Sequence, residues 1–300
     1  VHMEINALLA FLAVAETGSF SRAAERLFLT QPAVSKRIAA LEQELGSPLF
    51  DRIGRRVALT EAGRALLPRV RRILDELEDS RRAIGNLTDQ VAGSLAIGTS
   101  HHIGLHRLPP VLRAFHRAHP AVKLDIQFLD SEEVCRAVES GRLELGIVTL
   151  PPEIPPQLEA SLLWEDPLTV VAAPDHPLAS LHSLTPERLA AHEAILPARG
   201  TYTRQVVEAA FAVTGVHLRV ALSTNYLETI KMLVSVGLGW SILPATMVDD
   251  TLAGFPLPGV TLQRALGRVH HQGRTLSNAA RALLTMLDHP DECISTADEV

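Results

Sequence analysis

Cysteine is scarce: Cys135 and Cys293 are the only two in 300 residues, too far apart for a disulfide framework or a CxxC redox or zinc pattern. That excludes a disulfide-stapled secreted scaffold, lacks the close spacing of a dedicated redox switch and fits a reducing cytoplasm. Uninterrupted membrane-length hydrophobic runs and low-complexity tails are also missing, so a soluble chain without a membrane partner is expected. The apolar run from Ala7 to Ala15 follows Glu4 instead of a basic segment and stops at Glu16, which reads as a buried helix and not a signal-peptide core. Catalytic signatures are absent as well. There is no GxSxG elbow, GxxxxGK[ST] loop or HExxH, and Gly237-Leu238-Gly239 lacks the later glycine of a dinucleotide fingerprint. No enzyme is expected. Val1 and His2 ahead of Met3 read as a cloning remnant, so natural numbering is expected to start at Met3.

What is present is length for two domains and a connector, with 47% hydrophobic and 21% charged residues. Charge is unevenly spread. Through Arg72 there are eleven Lys/Arg against seven Asp/Glu, a net of +4 in a chain whose formal charge is −6, which leaves −10 for the rest. The basic end is the candidate nucleic-acid end.

Leu8, Leu9, Leu12, Val14 and Ala15 follow helical spacing, and Gly18-Ser19 provides a stop and a new start. Ser21 is expected to cap a second helix from Arg22 to about Leu27, and Thr30 a third with Pro32 in its first turn. In that third helix Val34, Ile38, Leu41 and Leu45 form one stripe, while Pro32, Lys36, Ala39 and Gln43 fall opposite. A polar face interleaved with small alanines suits close approach to a groove. Phe50 to Leu59 reads as two strands about a glycine turn bearing Arg52, Arg55 and Arg56, a wing able to contact phosphates or the minor groove. The bland alternative is a solvated three-helix bundle.

The segments Ala15 to Leu27, Thr30 to Ile38, Leu41-Glu42, Leu49 to Arg52 and Leu59 to Gly63 together resemble the DNA-binding domain of LysR-type transcription regulators nearly from end to end. The resemblance implies base and phosphate contact from Gln31, Pro32, Ser35 and Lys36, with Arg52, Arg55 and Arg56 on the wing. Ser21, Arg22, Thr30 and Arg37 complete the expected DNA-facing set, and Gln31 is the leading base reader. The family often has arginine at the position of Lys36; lysine lacks the bidentate fork, which points Lys36 to a phosphate.

From Thr60 onward Ala62, Leu66, Val70, Ile73, Leu77, Ile84 and Leu87 continue a heptad-like stripe. A helix over 61–91 with such a seam needs a partner, and Pro68 can kink it. A second copy is one partner, as the resemblance also implies; the chain's own C-terminal domain is the other. Beyond Gly93, Leu95 to Ile97, a helix to about Ala118, Val122 to Phe128, a helix near 132–138 and Glu144 to Val148 give a βαβαβ order and a mostly parallel sheet. Prolines 151, 152, 155 and 156 close that half, a second set begins near Leu168, and the chain returns near Leu266 to finish in a helix from Ser277 to Leu287.

The expected class is therefore α/β: a winged helix-turn-helix domain at 3–60, a linker and dimerisation helix at 61–91, and a two-lobed domain at 92–300. The last resembles type II periplasmic binding proteins, the form of LysR-type effector domains, with lobe I at about 92–160 and 266–300 and lobe II at about 161–265. In such sheets ligands bind beyond the strand ends, where helix N-termini offer N–H groups. Thr99-Ser100-His101-His102, Thr201-Tyr202-Thr203 and Ser223-Thr224-Asn225 occupy such places, with Thr149 and Arg199 at the cleft edge. Each hydroxyl alone is an ordinary helix cap; their convergence suggests a small anionic or carboxylate effector. The resemblance in layout carries over Ser100, His102, Thr149 and Thr201 to Thr203. His102 and His106, four apart with His101 adjacent, allow a metal, but no acidic or cysteine ligand is evident beside them, so they are read as neutral surface histidines. No metal or cofactor is expected. The expected partners are double-stranded DNA, the effector and further copies of the chain, as a homodimer through the linker and a homotetramer for the full chain, in a bacterial cytoplasm.

Overall fold

The computed structural model describes residues 3–53, 56–88, 90–181 and 183–289. They form two compact units, one up to Leu87 and one from Thr88. In the first, α1 (Ile5–Thr17) ends at Gly18, whose left-handed φ of 62° turns the chain. Ser19, not Ser21, caps α2 (Phe20–Arg26): its hydroxyl accepts from the Arg22 N–H at 3.4 Å. Extended backbone right after the glycine offers the first usable oxygen, which leaves Ser21 and Arg22 exposed in the first helical turn.

Thr30 caps α3 (Gln31–Leu45) by accepting from Ala33 N–H, and Pro32 sits in its first turn. Val34, Ile38 and Leu41 are buried against Phe11, Phe20 and Phe50, with the Phe50 ring 5.3 Å from that of Phe11 and 5.8 Å from that of Phe20. Leu45 departs from the expected stripe: it is exposed, because the helix outruns the core before Gly46 ends it. Strands β1 (Phe50–Ile53) and β2 (Arg56–Leu59) pair antiparallel as a hairpin. Then α4 (Glu61–Gly85) runs 25 residues, about 37 Å. It ends before the 91 expected. Its start is clamped on the core, where a Cβ on Gly63 would meet the Leu49 carbonyl oxygen at 2.2 Å. Val70 is buried there, and Leu66, Leu67 and Leu74 pack beside it, whereas Ile73, Ile84 and Leu87 are exposed.

The second unit contains β3 (Gly93–Thr99), α5 (His101–His106), α6 (Pro109–Ala118), β4 (Val122–Phe128), α7 (Ser131–Glu139), β5 (Leu145–Thr149) and β6 (Leu158–Ala172). The single helix expected to Ala118 is two, since Pro109 starts a new one. There follow α8 (Pro186–Ala190), β7 (Ala194–Leu196), α9 (Tyr202–Ala212), β8 (Val220–Ser223), α10 (Leu227–Ser235), β9 (Ser241–Pro244), β10 (Ala253–Phe255), β11 (Gln263–His271) and α11 (Asn278–Asp288).

Strands β4, β3 and β5 are parallel, but β11 joins β5 antiparallel and β6 in turn pairs antiparallel with β11, so this sheet is mixed where a mostly parallel one was expected. The reason is connectivity: β6 leaves the first lobe and β11 re-enters beside it in the opposite sense. β6 pairs with β11 through Pro167 and thereafter with β9 and β10. The crossings therefore fall near Pro167 and just before Gln263, where the sequence pattern had placed them at 160–161 and 265–266. One core lies under β3 and β5 and includes Phe115 and Leu283; another surrounds the fully buried Trp240, whose indole N–H donates to the carbonyls of Leu189 and His192. These cores leave the C-terminal ends of β3, β4 and β5 facing helices of the second lobe.

Candidate DNA-contact surface and ligand cleft

On α3 the face opposite the core presents Gln31, Pro32, Lys36, Ala39 and Gln43, all exposed, with Ser35 and Arg37 half-buried. Gln31 donates through Nε2 to Ser35 Oγ at 2.9 Å, which holds its amide along the helix face. Arg22 donates to the Thr17 carbonyl and so spends part of its fork at home. Thr30 is exposed but its hydroxyl caps the helix. Arg55 and Gly54 lie outside the described residues, as do the side chains of Arg52 and Arg56. Cys293 lies outside them too, whereas Cys135 is buried with a free thiol that burial pushes up to about 11, unsuited to reactivity.

The cleft forms where strand ends meet helix starts. Ser100, His101 and His102 follow β3; Asp130, Ser131 and Glu132 follow β4; Thr149 ends β5. Pro197, Thr201, Thr203, Asn225 and Leu227 face them from the second lobe, and Arg264 rises from β11. Seven expected residues thus come together: Ser100, His101, His102, Thr149, Thr201, Thr203 and Asn225. Five do not. Thr99 is fully buried, Tyr202 packs beside Cys135, Arg199 lines a separate depression with Glu208 and His217, and Ser223 and Thr224 are not in the lining. Asp130, Ser131 and Glu132 went unrecognised although they follow a strand as Ser100 does; the same rule could have found them. Arg264 carried no local signal.

Arg264 is buried at the floor. Its Nε donates to Asp166 at 2.6 Å, and Asp166 also accepts from Arg107 at 3.2 Å. One terminal nitrogen donates to Thr203 Oγ1 at 3.2 Å. The other is buried with no hydrogen-bond partner among the described residues. That is a charged donor held out of water beside the cleft, a costly arrangement unless something accepts from it.

The protein's own carboxylates bridge the lobes. Glu132 accepts from the Tyr202 N–H at the start of α9, and Asp130 accepts from Asn225 Nδ2 at 2.6 Å. Asn225 in turn accepts from the Ala198 N–H at 2.9 Å instead of capping α10. Burial, chiefly, pushes Glu132 above its ordinary value. A side-chain anion thus stands at one helix N-terminus expected for the ligand. Thr201 is likewise committed, accepting from Arg204 N–H and donating to the Ala198 carbonyl, whereas Thr203, which accepts from Arg264, keeps its own proton for a ligand. Free space in the cleft is about 40 Å³, room for only a few heavy atoms.

His102 is buried, and Glu228 of α10 accepts from its Nδ1 at 3.3 Å and from His106 Nε2 at 3.0 Å. Burial, then the field of Arg264, brings His102 down to about 4, so its ring is neutral at pH 7. Burial raises Glu228, but its backbone N–H and the two histidines outweigh that and lower it. With the one ring proton on Nδ1 facing a carboxylate, His102 Nε2 offers a lone pair and not the expected anion donor. The expectation that no acid stands near the two histidines is corrected here: Glu228 reaches them from the other lobe.

A hairpin-bearing helix-turn-helix unit with an open polar helix face, carried on a chain with a two-lobed cleft, defines a DNA-binding protein with a small-molecule sensor domain. Residues 5–64 match the bacterial regulatory helix-turn-helix protein, lysR family, and residues 88–290 match the LysR substrate binding domain. The RuBisCO operon transcriptional regulator of Allochromatium vinosum is 31% identical over 94% of both chains. An uncharacterised HTH-type transcriptional regulator from the ibpB-leuC intergenic region of Azotobacter vinelandii is 71% identical over 108 residues, 36% of this chain and 75% of that protein. Full-length OxyR from Pseudomonas aeruginosa, in a variant form, shares the fold with a TM-score of 0.70 and 25% identity over 96% of this chain and 98% of that one. The chain belongs to the LysR family of transcription regulators. It is a DNA-binding regulator with an effector-binding domain and not an enzyme, and none of its described helices is long and apolar enough to cross a membrane.

Proposed function

We propose that operator binding by this regulator responds to a small anion seated between the two lobes of the C-terminal domain. The unpaired, buried terminal nitrogen of Arg264 carries the reading: it is a fixed cationic donor awaiting an acceptor. An anionic oxygen would take that nitrogen and the Thr203 hydroxyl, with Ser100 and Thr149 alongside. The tight cleft favours inorganic oxyanions or short carboxylic acids over aromatic acids. A larger ligand would have to part Glu132 from Tyr202 and Asp130 from Asn225, two of the bonds that span the lobes, and so change the lobe angle. A preference of about 1–3 kcal/mol for one lobe arrangement gives a useful response.

Gln31, Pro32 and Ser35 would enter the major groove, Lys36, Ser21, Arg22, Thr30 and Arg37 would meet the backbone, and Arg52, Arg55 and Arg56 would serve from the wing. Ile73 and Ile84 on α4 and Leu87 just beyond its end would be covered in a homodimer, and effector domains would pair the dimers into a tetramer acting on DNA in the cytoplasm. The test is thermal-shift screening with inorganic oxyanions and short and aromatic carboxylic acids, then operator binding with any hit. A ligand-induced rise in melting temperature, lost when Ser100→Ala is combined with Thr203→Ala, supports the reading. An unchanged response in the double variant moves the site elsewhere.

A further inference from the structure

The effector reading leaves unused the three side chains that meet at the cleft rim, His102, His106 and Glu228. The two histidines lie one turn apart on α5, so their rings share a helix face, with centroids 4.7 Å apart. Glu228 arrives from α10 in the other lobe, 126 residues away from His102 in sequence. One ligand atom from each lies within 4.8 Å of the others. Two imidazoles and one carboxylate are a donor set that first-row divalent cations accept, with a position left open for water or another ligand.

The spacing fits such an ion. At metal–ligand distances near 2.0–2.1 Å, neighbouring ligand atoms of a tetrahedral site stand about 3.3 Å apart. Glu228 Oε1 is 3.3 Å from His102 Nδ1 and 3.0 Å from His106 Nε2. Both edges are already set, and the His102 ring proton would pass from Nδ1 to Nε2 to free the ligating lone pair. His102 is fixed by burial, while His106 and Glu228 remain over a third exposed and can turn to close the remaining edge. Entry is from the solvent side of His106. The positive charge of Arg264 lies near enough to act on His102 and Glu228, which opposes a cation and argues for moderate affinity; the Glu228 carboxylate offsets it.

We propose that His102, His106 and Glu228 form a binding site for a first-row divalent cation, which would pin α5 of the first lobe to α10 of the second. Loading the site would then favour the lobe arrangement in which the three ligands meet. Metal-free full-length protein titrated with Zn²⁺ by calorimetry, and with Co²⁺ by visible absorption, tests the site. One ion per chain is expected at micromolar concentration, with the intense d–d bands of four-coordinate Co²⁺. His106→Ala and Glu228→Gln should each weaken this binding at least tenfold. Because His106 is half exposed, its variant should retain the fold, checked by circular dichroism and melting temperature. Zn²⁺ binding unaltered in both variants would place the ion on other histidines and overturn the proposal, as would no binding by the wild type at 100-fold excess.

Discussion

The α3 surface and the cleft are built on opposite plans. The α3 surface draws its principal residues from one stretch of chain, points them outward and satisfies them locally, as Gln31 does on Ser35. The cleft draws one or two residues from each of several strand ends, buries a cation at its floor and spans its lobes with its own carboxylates. Outward, local side chains can change without disturbing the fold, so recognition can vary there at little structural cost. A buried charge pair ties sensing to stability, because the group that would hold a ligand also holds the crossing strands together.

The sharpest way to break this contrast is at Arg264. Arg264→Leu leaves the fully buried Asp166 with only the partly exposed Arg107, and removing one partner of a buried pair costs about 3–5 kcal/mol; denaturant unfolding of the C-terminal domain should report it. A loss below 1 kcal/mol would mean that Asp166 and Arg107 suffice without it. The DNA-binding unit has a weak point of its own kind, steric and not electrostatic. Gly63→Ala drives a methyl into the Leu49 carbonyl, and overpacking of this sort costs about 1–3 kcal/mol, measurable as lower thermal stability of the N-terminal unit.

Gln31→Ala should cost about 1–3 kcal/mol in discrimination between operator and altered sites and leave stability within about 0.5 kcal/mol. Equal weakening on all sequences in a binding assay would assign Gln31 to the backbone instead. The smallest effect is expected at Phe28, exposed in the turn before α3 with a left-handed φ of 53°. Phe28→Asn relieves a conformation that costs a bulky residue about 1 kcal/mol and should raise the unfolding midpoint by a corresponding amount; a lowered midpoint would show that the ring has a packing role.

How much was legible follows from the same contrast. Thr30, Pro32, Gly18 and Gly46 mark the ends of α1 and α3 because capping and left-handed turns are local chemistry. Choosing Ser21 over Ser19 failed since two serines in succession both satisfy the pattern, and only the backbone angle at Ser19 separates them. The stripe on α4 continues past Gly85, where the helix stops, because periodicity marks a face and not an end. In the cleft, hydroxyls after β3 and before α9 could be found from strand–helix order. That Thr201 would cap its own helix is again local chemistry, whereas that Arg199 would turn to another depression depends on the tertiary packing around it.

By itself the sequence determined the two-unit plan, the helix-turn-helix with its polar recognition face and the two-lobed domain beside it, since caps, turns and apolar periods act within a few residues. Tertiary structure alone decided that Asp166 meets Arg264 across 98 residues, that Glu132 fills a helix N-terminus and that Glu228 reaches His102 and His106. Those pairings depend on which strands cross between lobes and in what register, and a side chain's distant neighbour leaves no mark on the residues beside it.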